Sequence, residues 1–102
     1  MTFETLQNNV ILWSIDRGII HHSNARAQLL KAVSEMGELA DAEAKHNLDA
    51  IEDAVGDITV CLINYCHFYG LSVPGCLESA WSQIKDRKGH MIEGGVFVKE
   101  DK

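Results

Sequence analysis

The sequence predicts an all-α protein: an antiparallel four-helix bundle-like fold with a short extended C-terminal tail. Three observations predict it. Apolar residues recur at three-to-four spacing through most of the chain, the breaks between these runs are short and hold helix-capping residues, and strand-like alternation is absent outside the tail. The first helix spans about Thr5 to Arg17, with Phe3, Leu6, Val10 and Trp13 on one side and a stop at Gly18. The second begins near Ser23 or Asn24, both good N-caps, and runs to about His46. The third opens after Asn47 and continues to Tyr69, where Gly70 suits a left-handed cap. The fourth starts after Ser72, tolerates Pro74 in its first turn and ends at Gly89. Met91 to Lys102, with Gly94-Gly95 and Val96-Phe97-Val98, is expected as an extended arm or short strand.

With 102 residues the chain has room for one domain, 1–102, and a core small enough that a partner copy would help it. Fifteen acids against nine bases give a net charge of -6, which argues against binding a nucleic-acid backbone. The first sixteen residues lack a basic region followed by an apolar run, and no apolar stretch approaches the roughly 20 residues that cross a bilayer. A cytoplasmic location without membrane contact is therefore expected. Cys61, Cys66 and Cys76 form no CxxC pair and read as reduced core thiols. No Walker-type loop, GxGxxG or GxSxG occurs, and Glu43 with His46 makes a single ExxH where a di-iron bundle needs two.

At about 100° per residue, Lys31, Glu35 and Glu38 share one edge of the second helix, while Leu29, Val33, Met36 and Ala40 form a separate apolar arc. On the third helix Asp53, Asp57 and Asn64 fall together, roughly opposite Ile51, Val55, Ile58, Leu62, Tyr65, Cys66 and Tyr69. The short turn near His46 and Asn47 makes these helices antiparallel neighbours and can bring the two acidic stripes together. The same stripes also suit plain solvated faces. Against that, Asp53/Asp57 and Glu35/Glu38 are like-charge pairs at helical spacing, and Gly37 and Gly56 each cost about 1 kcal/mol relative to Ala. Four converging carboxylates need a counter-cation, and oxygen donors without a Cys or His set favour Mg²⁺, with Mn²⁺ possible.

Lys31-Ala-Val-Ser-Glu35-Met-Gly-Glu38-Leu-Ala, then Asp53-Ala-Val-Gly-Asp57 and Asn64, resembles the MazG-like nucleoside triphosphate pyrophosphohydrolases of the all-α superfamily, in their short phage and bacterial form. Trp13, Arg17-Gly-Ile-Ile, Ile84-Lys-Asp-Arg-Lys-Gly89 and Gly-Val-Phe-Val-Lys99 extend the likeness along nearly the whole chain. The resemblance implies that Glu35, Glu38, Asp53 and Asp57 hold the metal that grips a nucleotide's phosphates. Asp53 stands in for a family glutamate whose position is Ala54 here, and Ser34 replaces another glutamate common in relatives. The implied reaction is water attack at the α-phosphorus of a nucleoside triphosphate, giving monophosphate and pyrophosphate. Glu35 or Glu38 would take the proton, and Lys31, Lys85, Arg87 and Lys88 would bind phosphates. Asn64 would bond a sugar or phosphate and Trp13 would stack on a base, although either could instead pack inside the protein or at a dimer interface. Trp81, sharing a face with Leu77 and Ile84, reads as packing.

The expected protein is thus a homodimer or dimer of dimers in a bacterium or phage-infected host. The alternatives are a superfamily relative acting on dUTP or phosphoribosyl-ATP, and a non-catalytic helical dimer that binds a nucleotide or protein.

Overall fold

The computed structural model describes residues 1–100. Its elements are α1 (Phe3–Asp16), α2 (Ile19–His22), α3 (Ala25–Ala44), α4 (Leu48–Phe68), α5 (Val73–Ile84), β1 (Gly89–Ile92) and β2 (Val96–Lys99). The helix starts follow local chemistry. The side chains of Thr2, Asn24, Asn47 and Ser72 each accept a backbone N–H from the first turn of the helix that follows, at 2.8 to 3.1 Å. His46, at φ 51°, turns the chain between α3 and α4 in the left-handed region.

The all-α, four-helix-bundle expectation is corrected by the C-terminal segment. β1 and β2 pair antiparallel, with Gly89 opposite Lys99 and Ile92 opposite Val96. Gly94 and Gly95 supply the turn, both at positive φ. The protein is mostly helical and carries a β-hairpin. An apolar run on each side of a Gly-Gly pair is the signal for it in the sequence. The expected fourth helix also stops at Ile84, short of Gly89.

Packing centres on α3 against α4, with α1 laid across α4. Gln7 accepts a hydrogen bond from the backbone N–H of Val73 at 3.0 Å, tying α1 to the start of α5. Beyond that tie α5 buries none of its residues, and the hairpin is exposed on both faces. Trp81, expected as a packing residue, is 58% exposed. The core is narrow: Ala32 and Ala42 from α3, and Ala54, Ile58, Cys61, Ile63 and Cys66 from α4. The arc of Leu29, Val33 and Met36 is exposed, as are Val55, Leu62 and Tyr69 of the apolar set on α4. Cys76 is exposed too, so only Cys61 and Cys66 are buried thiols. Among the described residues, no single helix is long and apolar enough to cross a membrane.

Candidate functional site

The face of α4 that carries Asp57 and Asn64 points inward, toward α1 and α3. There the helices bound a cavity of about 450 Å³ whose walls include Trp13, Gln28, Lys31, Glu35, Asp57 and Asn64. Helical spacing places them: Gln28, Lys31 and Glu35 lie three and four apart on α3, and Asp57, Cys61 and Asn64 lie four and three apart on α4. Gln28 donates to Ser23 Oγ at 3.1 Å, fixing both side chains on the wall, while Ile19, Val60 and Cys61 make its apolar part. The Arg17 guanidinium lies 5.5 Å from the centre of the Trp13 ring, a cation–π contact that orients the indole.

Two acceptors stand out inside. Asn64 is 1% exposed, and its Oδ1 accepts no hydrogen bond; Oε2 of Glu35 is also buried and unpartnered. A buried acceptor left without a donor is unfavourable, so this cavity suits a guest that brings donors or positive charge. The pKa of Glu35 is raised above the ordinary carboxylate value. The first cause is a hydrogen bond its carboxyl shares with Glu38, then loss of solvent, then repulsion from Glu38 and Asp57; Lys31 pulls the other way. Burial raises the Cys61 thiol, which keeps it protonated and unreactive on the cavity wall.

The expected sites divide. Trp13, Lys31, Glu35, Asp57 and Asn64 line one cavity. Glu38, although beside Glu35, faces a shallower recess of about 180 Å³ with Asp41, Lys45 and Asn47. Asp53 is exposed and outside the cavity. Both lie toward the α3–α4 turn, about one helical turn beyond Glu35 and Asp57. Among the described residues, no three His, Cys, Asp or Glu side chains are grouped to hold a metal ion. The expected four-carboxylate metal site is corrected accordingly: Glu35 and Asp57 share the cavity, and the residues present do not form a resident metal cage.

Arg87 and Lys88 border a separate recess with Asp86 and Glu100, and Lys85 is exposed at the end of α5, so none of these cations reaches the cavity. Gln28 and Cys61 are not among the expected site residues, yet each continues a stripe marked by Lys31 and Glu35 or by Asp57 and Asn64. Ser23 precedes its helix and has no periodic signal.

No family model matches the chain, and no solved structure matches it. It is similar to an uncharacterized 18.2 kDa protein from the rep-hol intergenic region of Haemophilus phage HP1, with 33% identity over 60 residues. That stretch is 59% of this chain and spans 37% of the phage protein's length.

Proposed function

We propose that the protein hydrolyses a nucleoside triphosphate at the α-phosphorus, releasing the monophosphate and pyrophosphate, in the cavity between α1, α3 and α4. The observation that carries this reading is the presence there of two acceptor atoms without donors, Oε2 of Glu35 and Oδ1 of Asn64, the first belonging to a carboxyl of raised pKa. The cavity volume falls within the roughly 300–1,000 Å³ of small-molecule sites. The resemblance of the Lys31–Glu38 and Asp53–Asp57 stretches to pyrophosphohydrolases points the same way, and a phage protein among its relatives fits a bacterial or phage-infected cytoplasm.

A wall of acceptors repels bare phosphates, so the substrate in this reading is the magnesium complex of the nucleotide, with manganese as a substitute counter-ion. Trp13 gives a flat apolar wall for the base, and the amide of Asn64 bonds the sugar or a phosphate. Lys31 lies beside the phosphates and supplies the cavity's positive charge. Glu35, ionised, accepts a proton from the attacking water: the water oxygen bonds the α-phosphorus, the bond to the bridging oxygen breaks, and pyrophosphate leaves with that electron pair. Its raised pKa makes Glu35 a stronger base than an ordinary carboxylate.

Incubation of the purified protein with each nucleoside triphosphate and Mg²⁺ tests the reading by product identity. Monophosphate plus pyrophosphate, with kcat lowered about 10²- to 10⁴-fold by Glu35→Gln, is the expected result. Diphosphate plus phosphate would contradict it. The dispersed carboxylates favour a second reading, a helical module that binds nucleotide without turnover. It predicts saturable nucleotide binding and no product. Including dUTP and phosphoribosyl-ATP among the substrates tests the superfamily alternatives.

A further inference from the structure

Hydrogen bonds fix the corner at which α4 ends and α5 begins. The two helices meet at 94°, joined by Tyr69 to Ser72. Gly70, at φ 69°, closes α4: its N–H donates to the His67 carbonyl at 3.1 Å, and the N–H of Leu71 donates to the Cys66 carbonyl at 2.9 Å. This paired closure ties the last turn of a helix to the residues that follow it. On the far side Ser72 accepts the Gly75 N–H on its Oγ at 3.0 Å and the Cys76 N–H on its carbonyl at 2.9 Å. Cys66 and Cys76 are thus each bonded through the backbone to one of two consecutive residues, Leu71 and Ser72.

The two side chains meet across this corner. Cys66 is buried, and its thiol shares a hydrogen bond with that of Cys76, which is open to solvent. Burial first, and then that hydrogen bond, raises the Cys66 thiol above the ordinary range and holds its proton on. Cys61 stands apart on the cavity wall, where its charged neighbours are Lys31, Glu35 and Asp57. Two of the three cysteines therefore form a pair with one accessible and one sheltered sulfur. An accessible thiol beside a second one is the arrangement in which a first oxidation is resolved as a disulfide. The element that such a bond would fasten is loosely held: α5 buries none of its residues, and the Gln7–Val73 hydrogen bond ties only its first residue.

We propose that Cys66 and Cys76 are an oxidation site, which peroxide closes to a disulfide within the chain, pinning α5 to α4. The Cys76 sulfur, as thiolate, attacks one peroxide oxygen; the O–O bond breaks, and the departing hydroxide takes up the thiol proton as water. Cys76 is left as a sulfenic acid. The Cys66 sulfur then attacks the Cys76 sulfur: the S–S bond forms, the S–O bond breaks, and the oxygen leaves as a second water with the Cys66 proton. Two thiols lose two electrons in all, and one hydrogen peroxide is reduced to two waters. A dithiol reductant reverses the change. Neither cysteine of the pair lines the cavity, so this oxidation is independent of the reaction proposed there.

Treatment of the full chain with one equivalent of hydrogen peroxide, then alkylation in denaturant and peptide mapping, tests this without an activity assay. Chymotrypsin cuts after Tyr65 and Tyr69 and so separates the three cysteines. A peptide linked through Cys66 and Cys76 is expected, with Cys61 alkylated, the intact mass that of one chain, and the link lost in dithiothreitol. The oxidised protein is expected to melt roughly 5 °C or more above the reduced one. Cys76→Ser, at an exposed position, is expected to keep its helical circular dichroism, form no link and show no rise in Tm with peroxide. Three alkylated cysteines, a link through Cys61 or between two chains, Cys76 carried to sulfinic acid with Cys66 still alkylated, or equal melting of the two forms would each overturn the proposal.

Discussion

Glu35 stands between two opposing influences: Glu38, loss of solvent and Asp57 hold its proton on, while Lys31 loosens it. Removing the lysine charge leaves only the influences that raise the pKa. Lys31→Met is therefore expected to move the acidic limb of the kcat/KM profile to higher pH, readable across a pH series of initial rates. The same raised pKa sets a direction for stability. The native state holds this proton more tightly than the unfolded chain, so its contribution is fully present below the ordinary carboxylate range and is lost as pH rises through the raised value. Glu35→Gln removes the titration, and thermal melts should show a higher Tm than wild type at pH 7 and a smaller decline between acidic and neutral pH. A protein that gains stability while losing turnover has its carboxyl placed for chemistry rather than for folding. The sequence identified Glu35 by its spacing from Lys31, yet its unpartnered oxygen depends on what α1 and α4 place around it, which no local pattern encodes.

At the scale of elements, the sequence was most legible where a side chain closes its own backbone. The caps Asn24, Asn47 and Ser72 were readable because each bond spans three residues. Asn47 begins the helix that carries Asp57 and Asn64; Asn47→Ala should lower unfolding stability by about 1 kcal/mol in urea titrations, with cavity residues unchanged. The hairpin was less legible because its strands are four residues long and neither buries a face, so no alternation develops. The apolar arcs of α3 and α4 are only partly covered by the chain itself, with Ile58 and Cys66 buried and Val33 and Leu62 exposed. Periodicity tells which residues share a face and is silent on whether the same chain covers it, which is why Val33 and Leu62 are exposed.

For the molecule as a whole, α3 and α4 form a two-sided layer. One side carries polar groups with unmet hydrogen bonds, the other an apolar seam, and α1 closes only the polar side. The acidic surplus of the composition accordingly has a mixed fate: Glu35 and Asp57 enter the cavity, whereas Asp53 is exposed to solvent. In the proposed reading the cavity is completed by the substrate and its own counter-ion. In the proposed reaction, water activated beside Glu35 attacks the α-phosphorus. Hydrolysis of a nucleoside triphosphate in ¹⁸O-labelled water, followed by mass analysis of the products, tests it most directly. Label is expected in the monophosphate and none in pyrophosphate; label in the pyrophosphate, or phosphate release without monophosphate, would contradict attack at the α-phosphorus.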